Sequence, residues 1–397
     1  MADQSKVVLA FSGGLDTTYC VKYLKHELNL EVHSVLVNTG GFGEEELKAI
    51  EKHALELGVA HHESIDVVDE FYQKAIKYLI FGNVLKNNTY PLSVSAERVF
   101  QAMAIARYAK EHGAEYIAHG STGAGNDQVR FDLVFNIMAP EAKIITPIRD
   151  LQLSRQAEID YLKSHGVEMN WEKAKYSINK GLWGTSVGGA ETLTSKNALP
   201  EEAYPSQLVN KEPKSITLEF KEGEIVAVDG ESMAPTKAIQ LLNKVASEYA
   251  IGRDIHVGDT IIGIKGRVGF EAAAPILLIK AHHLLEKHTL TKWQQHWKEQ
   301  LASWYGMMMH EGQYLDPVMR NIEKFMEDTQ QFVTGKVHMK LSPYQFALQG
   351  IESEHDLMTS KFGNYGEMNK GWSGEDVKGF TKILANQTKI FYAVNEL

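Results

Sequence analysis

A glycine pair between an apolar run and a helical pattern is the first place where residue types and spacing suggest chemistry. The run Val7 to Phe11 is followed by SGGLDTT, Ser12 to Thr18. Where a strand leads into a helix, free backbone N–H groups and the helix dipole favour an anion. The glycines let the main chain approach phosphates, the hydroxyls can donate hydrogen bonds, and Asp16 can orient a water molecule or a magnesium ion. The segment predicts a phosphate-binding loop, although it matches neither GxxxxGK[ST] nor GxGxxG.

A second polar, glycine-rich loop carries charged side chains at helical spacing. It reads HGSTGAGNDQVRF from His119 to Phe131, and Asn126 or Asp127 is a natural cap for a helix through Arg130. Asp127 and Arg130 would share one helix face, since they are three residues apart. A carboxylate and a guanidinium together can hold both charges of a zwitterionic amino acid. An ordinary helix cap followed by a surface salt bridge would explain the same two residues.

The first half of the chain alternates strand and helix patterns, which is typical of a parallel, doubly wound α/β sheet. Strands are predicted at Val7 to Phe11, Val32 to Val37 and Tyr116 to Ala118, and helices at Glu44 to Leu57 and Val94 to His112. Ligands of such sheets bind beyond the carboxyl ends of the strands. Both glycine-rich loops fall at those ends.

After about residue 170 the pattern changes to that of an α+β domain. A hairpin is predicted where Ile216 to Phe220 turns at Glu222-Gly223 and returns through Val228. Further along the chain the patterns predict a helix from Ile239 to Tyr249, a strand from Thr260 to Ile264, helices that carry Trp293, Trp297 and Trp304, and a strand from Val337 to Leu341.

These patterns divide the chain into a nucleotide-binding domain at 1–170, an α+β domain at 171–360 and a tail at 361–397. The tail is rich in glycine before a short helical pattern near Val377 to Ala385. It has too little apolar surface to fold alone, so it is expected to pack on a neighbouring subunit or to be poorly ordered.

Charge and composition limit the classes of partner. The 397 residues carry a formal net charge of -10, which gives no general attraction to nucleic acid or to an anionic membrane. No run of 18 apolar residues is present, and Cys20 is the single cysteine of the chain, which excludes an intrachain disulfide. We therefore expect small-molecule substrates, no nucleic-acid or membrane partner, and a cytoplasmic location.

Several other residues have a simpler explanation than function. The pairs His61-His62 and His282-His283 are not predicted to bind metal, because adjacent histidines diverge and no ligand cluster accompanies them. Cys20 is expected to be a small apolar residue that faces the sheet. Trp293 and Trp297, four residues apart, are typical of a core or a subunit interface.

The glycine loop resembles the pyrophosphate-binding loop SGGxD[ST] of the N-type ATP pyrophosphatases, the adenine nucleotide α-hydrolase-like superfamily that includes the synthetases of asparagine, NAD and GMP, the tRNA thiolases and argininosuccinate synthase. The second loop resembles the argininosuccinate synthase signature GxTGKGNDQVRF, and Ala10 to Thr18 resembles the first signature of that family. The likeness extends through Tyr90 to Arg98, Tyr176 to Ser186 and Ile251 to Asp254. It is faint beyond about residue 280.

The resemblance implies a ligase that activates the ureido oxygen of citrulline as an adenylate and then joins it to L-aspartate, with ATP as a substrate and Mg²⁺ on the phosphates. It implies no tightly bound cofactor, no resident metal site and no catalytic nucleophile, with positioning by Asp16, Asp127 and Arg130, and a homotetramer crossed by its carboxyl-terminal tails. ATP would be held by Ala10, Phe11, Ser12, Gly13, Gly14, Leu15, Asp16, Thr17, Thr18, Val37 and Gly120, aspartate by Thr122, Asn126 and Asp127, and citrulline by Tyr90, Ser95, Asn126, Arg130, Ser177 and Ser186.

Three positions depart from the family pattern. Ala124 stands where the signature has lysine, Gly258 aligns with the usual glutamate and Phe270 with the usual tyrosine. In the family the last two face the α-amino end of citrulline, so an ammonium group there would lose its partner. We hypothesise that the acceptor is an N-acylated citrulline, for example N-succinylcitrulline. Alternatively, Glu271 or a shifted loop supplies the missing carboxylate.

Two functions of other classes also use such a glycine loop. A tRNA-modifying thiolase would need more than one cysteine and a basic surface for RNA. A nucleotide-binding regulator would need only the first loop, so the residues of the second loop argue against it. AMP formation distinguishes an enzyme from a passive binder, and dependence on aspartate distinguishes the ligase from other enzymes with this loop.

Overall fold

The amino-terminal half is built on a parallel sheet of five strands. The computed structural model describes residues 4–171, 175–359, 362–363, 365–367 and 370–396. The strands are β1 (Lys6–Ala10), β2 (Glu31–Asn38), β3 (His61–Asp66), β4 (Tyr116–Ala118) and β5 (Lys143–Ile145). They lie in the order β3-β2-β1-β4-β5, and every neighbouring pair is parallel.

Helices cover both faces of this sheet. They are α1 (Leu15–His26), α2 (Glu44–Leu57), α3 (Val68–Phe71), α4 (Lys77–Phe81), α5 (Ser93–Glu111), α6 (Asp127–Met138), α7 (Pro147–Asp150) and α8 (Arg155–Ser164), with a π-helical turn at Tyr72–Ile76 between α3 and α4. Side chains of β1 alternate between the two faces: Val7 and Leu9 pack in one core with α1, and Val8 packs in the other with α5. The predicted doubly wound α/β sheet is confirmed.

The chain order reverses between β1 and β4, and this switch point places the two predicted loops side by side. Residues 11–14 leave the carboxyl end of β1, and residues 119–126 leave the carboxyl end of the adjacent β4. A crevice opens beyond the strands at such a point in an open α/β sheet.

The carboxyl-terminal half contains two antiparallel sheets. The four-stranded sheet has the order β11-β12-β7-β6 and the five-stranded sheet the order β10-β9-β8-β13-β14. Their strands are β6 (Ser177–Gly181), β7 (Gly184–Gly188), β8 (Lys214–Lys221), β9 (Glu224–Val228), β10 (Glu231–Ser232), β11 (Arg253–Asp259), β12 (Lys265–Glu271), β13 (Gly335–Ser342) and β14 (Gln345–Glu352). The predicted hairpin is β8-β9, and the predicted last strand is β13.

Four long helices pack on these sheets and continue the core of the first half. They are α9 (Pro235–Ser247), α10 (Ala273–Thr289), α11 (Lys292–His310) and α12 (Pro317–Thr329), and short 3-10 turns lie at Ala190–Leu193, Glu201–Ala203 and Leu357–Thr359. One continuous apolar cluster contains Val99 of α5, Leu277 of α10 and Tyr305 of α11. The site-bearing helices of the two halves are therefore packed together.

The strand predicted from Thr260 to Ile264 is wrong. This segment is a tight turn between β11 and β12, in which the hydroxyl of Thr260 donates to the carbonyl of Ile264 at 2.7 Å and accepts from its N–H at 2.9 Å. Gly263 adopts φ +83°, which closes the turn. The β-branched residues of the segment favour a strand, but the glycine and the hydroxyl contacts prevail.

Two further expectations concern exposed aromatic residues and the tail. Trp293 and Trp297 are 63% and 59% exposed, so neither belongs to the core. The tail forms α13 (Gly374–Leu384) and α14 (Asn386–Val394), in agreement with the predicted helical end. Their apolar side chains are exposed in the single chain, among them Phe380, Ile383 and Phe391.

The remaining small features match simple structural roles. Cys20 is fully buried in the core under the sheet, as expected. His62 bonds to Ser34, and His282 bonds to Asn83 and Gln330. Across the described ranges, no cluster of three or more metal-ligating side chains is found. No helix within those ranges is both long and apolar enough to cross a bilayer.

Candidate active site

A cavity of about 1100 Å³ opens at the carboxyl edge of the parallel sheet. Its walls come from the two glycine-rich loops, α5 and α6 of the first half, and from β6, β7, β11, β12 and the end of α11 of the second half. A site that needs three substrates can therefore be enclosed between the two halves of the chain.

The glycine loop forms the floor of the cavity between β1 and α1. Gly13 has φ +76°, a left-handed conformation that favours glycine. The loop is held by internal bonds: N–H of Gly14 donates to the hydroxyl of Ser12 at 3.4 Å, and the hydroxyl of Thr17 donates to the carbonyl of Gly14 at 3.2 Å. The start of α1 has no side-chain cap, so its backbone N–H groups are available to an anion.

The second loop lies directly on the first. A methyl group at Gly120 would come within 3.3 Å of the backbone of Asp16, so this close approach favours glycine. His119 accepts from the N–H of Ser121 through Nδ1 at 3.2 Å, and its Nε2 therefore donates to Asp132 at 2.8 Å. Arg149 donates to the same carboxylate at 2.7 Å. These bonds fix the loop between β4 and α6.

Asp127 is the centre of a partly buried charge cluster on α5 and α6, in which its own side chain is 36% exposed and that of Arg130 is 4% exposed. Arg98 donates to one of its oxygens at 3.0 Å and Arg130 to the other at 2.8 Å. Burial alone would raise the pKa of Asp127, but the two guanidinium groups hold it below its ordinary value. The predicted shared helix face of Asp127 and Arg130 is confirmed. The side chain of Asn126 does not cap the helix and instead accepts from the N–H of Ile261 at 2.8 Å.

The residues predicted for the acceptor lie on the wall between α5, α6 and the four-stranded sheet. The hydroxyl of Tyr90 accepts from the N–H of Val94 at 3.2 Å and from Ser93 at 3.3 Å, so its own proton can point to a ligand. Ser186 stands opposite Asn179 across the β6-β7 pair, and Ser177 lies two residues before Asn179 on the same strand. Arg130 is 4% exposed and reaches His310 at the end of α11.

Nearly all of the predicted site residues line this one cavity. Gly13 and Thr18 do not: the first shapes the loop, and the hydroxyl of Thr18 lies 3.2 Å from Nε2 of His53, on the side away from the cavity. The predicted residues that line it are Ala10, Phe11, Ser12, Gly14, Leu15, Asp16, Thr17, Val37, Tyr90, Ser95, Gly120, Thr122, Asn126, Asp127, Arg130, Ser177 and Ser186.

Sequence reasoning missed several residues of the cavity wall. On α5, Val94, Arg98, Gln101 and Ile105 line the cavity together with Ser95. Their helical spacing could have identified this face. Burial raises the pKa of the neighbouring Glu97 to about 7, although Arg98 opposes the shift.

Other missed residues come from distant parts of the chain. Arg155 and Lys180 bring cations to the cavity, and His256 and His310 bring imidazoles. No local signal predicts these four, because tertiary packing alone brings β6, α8, β11 and α11 to one cavity.

The departures from the family pattern have clear structural settings. Ala124 is exposed on the second loop. Phe270 is buried against the ring of Tyr90 at 5.5 Å. Glu271 is engaged by Arg253 at 2.9 Å and by the hydroxyl of Ser206 at 2.6 Å, and it does not line the cavity. It is therefore not a substitute for the carboxylate that is absent at Gly258.

Comparison with known proteins identifies the family of the chain. The model of the arginosuccinate synthase N-terminal HUP domain matches residues 6–168, and that of the arginosuccinate synthase C-terminal domain matches residues 176–391. The chain belongs to the argininosuccinate synthase family. The family likeness thus continues beyond residue 280. The prediction that it is faint there was wrong, because it relied on short motifs and the family model compares the whole domain.

Curated members of the family resemble the chain over nearly its whole length. The argininosuccinate synthase of Methanocaldococcus jannaschii is 38% identical, with 97% of each chain covered. That of Dictyoglomus thermophilum is 36% identical, with 98% of each chain covered. That of Sulfurisphaera tokodaii is 34% identical and covers 98% of this chain and all of its own.

Proposed function

We propose that this chain is an ATP-dependent carbon-nitrogen ligase that joins a citrulline-type acceptor to L-aspartate, as an argininosuccinate synthase of arginine biosynthesis. The observation that carries the proposal is the joint lining of one cavity by the glycine loop and by Asn126, Asp127, Gln128 and Arg130 of the second loop and α6. The family membership of the whole chain supports the same reaction.

The reaction consists of two substitutions. In the first, the ureido oxygen attacks the α-phosphorus of ATP, and the bond to the β-phosphate oxygen breaks, so that pyrophosphate leaves with the bonding electron pair. In the second, the amine of aspartate attacks the ureido carbon, loses a proton, and AMP leaves with the electron pair of the carbon-oxygen bond. Neither step needs a side-chain nucleophile, so the protein contributes orientation and charge stabilisation.

ATP is assigned to the floor of the cavity. The N–H groups at the start of α1, which have no side-chain cap, and the hydroxyls of Ser12 and Thr17 would face the triphosphate. Gly120 lets the second loop close against the first. Mg²⁺ would accompany the phosphates, with Asp16 orienting a water molecule of its shell. The exposed Arg155 and Lys180 line the same cavity and would supply the positive charge that the family's lysine provides at position 124, where this chain has alanine.

Aspartate and the acceptor are assigned to adjoining parts of the cavity wall. Thr122 lies on the second loop, and Asn126 and Asp127 lie at the start of α6, where backbone N–H groups favour a carboxylate. The acceptor is assigned to Tyr90, Ser95, Arg130, Ser177 and Ser186, with Asn126 between the two substrates. Asp127 is held by two arginines, so its part is to fix the positions of Arg98 and Arg130.

We infer a homotetramer in the cytoplasm. Support for the assembly comes from α13 and α14, which present Phe380, Ile383 and Phe391 to solvent in the single chain. Contiguous exposed apolar surface of this kind marks a contact with another protein surface. A second copy of the chain is the partner expected for this family.

The test is pyrophosphate and AMP release from magnesium ATP by the purified chain, with aspartate and the acceptor each omitted in turn. AMP release that needs both supports the proposal, whereas pyrophosphate release without aspartate should stop after about one turnover per site, because the adenylate then has no amine to react with. Continued AMP release without aspartate indicates a different enzyme with the same loop, such as a tRNA-modifying thiolase. Nucleotide binding without AMP indicates a regulator, and either result contradicts the proposed ligase.

A further inference from the structure

Two buried histidines form part of the wall assigned to the acceptor. His256 of β11 and His310 of α11 are each 5% exposed, and both line the cavity. The Nδ1 atom of His256 and the Nε2 atom of His310 have no hydrogen-bond partner among the residues that the structure describes. Buried polar atoms are normally satisfied, so an unpaired nitrogen at a cavity wall indicates a ligand atom.

The contacts of His310 fix its protonation. Nη2 of Arg130 points at Nδ1 of His310 at 3.3 Å, and Nε of Arg130 donates to the carbonyl of His310 at 2.9 Å. A guanidinium can only donate, so Nδ1 accepts and the proton of the neutral ring lies on Nε2. Burial, together with the charge of Arg130, lowers the pKa of His310 to about 3, although a weak interaction with the backbone of Asp259, outside hydrogen-bond geometry, opposes the shift. His310 therefore offers one neutral N–H donor to the cavity.

His256 is also neutral and occupies the space beside Gly258. Burial and the charge of Lys86 lower the pKa of His256 to about 4. Its ring stacks on Tyr90 with centroids 5.1 Å apart. His256 and Gly258 face the same side of β11, and a Cβ at Gly258 would lie 2.6 Å from Nε2 of His256. The imidazole thus stands where a side chain at position 258 would begin.

The carboxylates on the described part of the cavity wall are all engaged or belong to the ATP side. Asp16 and Glu46 lie on the glycine-loop side. Asp127 is held by two arginines, and Glu97 by Arg98 at 3.0 Å and by Thr39 at 2.9 Å. Asp259 is paired with Lys265 and is 69% exposed. A buried ammonium beside the two histidines would have no counter-charge, and an unpaired buried charge is costly.

We propose that the acceptor of this chain is a citrulline whose α-amino group is acylated. The amide is neutral, so it needs no carboxylate at position 258, and its acyl oxygen can accept from the Nε2 proton of His310. The two histidines contact Tyr90, Ser95 and Arg130, which are residues assigned to the acceptor. The inference rests on the proposed function. The two reaction steps, transfer of AMP to the ureido oxygen and attack by the amine of aspartate, are unchanged. The product is an N-acylated argininosuccinate.

The test compares three acceptors with the full-length protein. Pyrophosphate release is measured with magnesium ATP and aspartate, and with citrulline, Nα-acetylcitrulline or Nα-succinylcitrulline in turn. We expect kcat/KM to be at least roughly tenfold higher for an acylated form, since an unpaired charge or polar group typically costs that much discrimination. Equal or better use of free citrulline overturns this inference and leaves the ligase proposal intact. Release with none of the three contradicts the ligase proposal itself.

A variant pair tests the assigned place of the acyl group. Gly258→Glu combined with His256→Ala adds a carboxylate and removes the ring that would block it, so preference should shift towards free citrulline by roughly tenfold or more. His256→Ala alone is the matched control and should retain the preference for the acylated form. Calorimetric binding of citrulline and Nα-acetylcitrulline to both variants gives a readout that does not depend on turnover. An unchanged preference in the correctly folded double variant contradicts the placement.

Discussion

The carboxyl group of Glu158 on α8 interacts with Asp16, the acidic residue of the glycine loop. Glu158 is 3% exposed, and burial together with the Asp16 carboxylate raises its pKa to about 8. Near neutral pH, Glu158 is therefore protonated and can share its proton with Asp16. The glycine loop thus has a protonated acidic neighbour that is some 140 positions away in the sequence.

The shared proton predicts a pH-dependent stability. The folded chain keeps a proton on Glu158 that the unfolded chain loses near its ordinary pKa of about 4.3. Stability from this site is complete below that value and is lost as the pH rises through about 8. Glu158→Gln should remove this part of the slope, as measured by urea unfolding at pH 6 and 8.5. The exposed Glu56→Gln is the control, and equal slopes in all three proteins would contradict the assignment.

Removal of Arg98 should weaken both the fold and the aspartate site. Arg98→Ala leaves Glu97 without its buried cation and Asp127 with one arginine instead of two. We expect a loss of about 3 kcal/mol in the free energy of unfolding, together with a higher KM for aspartate in steady-state assays. Arg107→Ala breaks the ion pair with Glu70, which does not line the cavity, and serves as the control. A normal KM for aspartate in the folded Arg98→Ala protein would contradict the assignment.

Arg155 is predicted to supply the positive charge of the lysine that the family has at position 124, where this chain has alanine. Arg155→Ala should raise the KM for ATP by roughly tenfold, which is the usual worth of one charge-assisted contact. The matched experiment adds Ala124→Lys to that variant, which should restore most of the affinity because position 124 lies on the exposed second loop. No change in KM for ATP in the single variant would assign the cation to Lys180 instead.

A buried ion pair joins α10 and α11. Removing one partner is predicted to lower the free energy of unfolding more than replacing both partners. Lys298 and Glu286 are each 1% exposed, and Lys298 also donates to the carbonyl of Phe81 at 2.7 Å. Lys298→Met should cost about 3 to 5 kcal/mol of stability, because it leaves the Glu286 charge buried. The double variant Lys298→Met/Glu286→Gln should be more stable than the single variant in urea unfolding. An additive loss would contradict this account.

The tail gives a prediction about assembly. A chain that ends at Gly363 lacks α13 and α14 and so loses their exposed apolar side chains. We expect sedimentation velocity to show a tetramer for the full chain and a smaller species for the truncated chain. If both chains form assemblies with the same number of subunits, the tail is not part of the interface.

Local patterns predicted those elements whose side-chain periodicity agrees with their burial. β1, α2, α5 and the β8-β9 hairpin were predicted in this way, because each alternates or repeats apolar residues at the spacing of its own backbone. Thr260 to Ile264 was mispredicted because its β-branched residues sit in a turn closed by Gly263. The preference of β-branched residues for strands is small, and here the left-handed glycine and the hydrogen bonds of the Thr260 hydroxyl stabilise a turn instead.

The site was predictable where its residues form contiguous motifs, and not where they meet by packing. The two loops are continuous segments, so their residues could be named from the sequence. His256 and His310 reach the cavity from β11 and α11, Glu158 interacts with Asp16 from α8, and nothing adjacent in the sequence marks these three residues. Their roles depend on the burial and charge that the complete fold supplies.

The overlap of His256 with the Cβ position of Gly258 has a consequence for descent within the family. A glutamate at position 258 meets the imidazole, and loss of the imidazole alone leaves the pocket without either group. The two positions are therefore coupled, and their mutational effects should not add. No single mutation at either position exchanges one acceptor for the other, so this choice of substrate would be slow to reverse by single mutations.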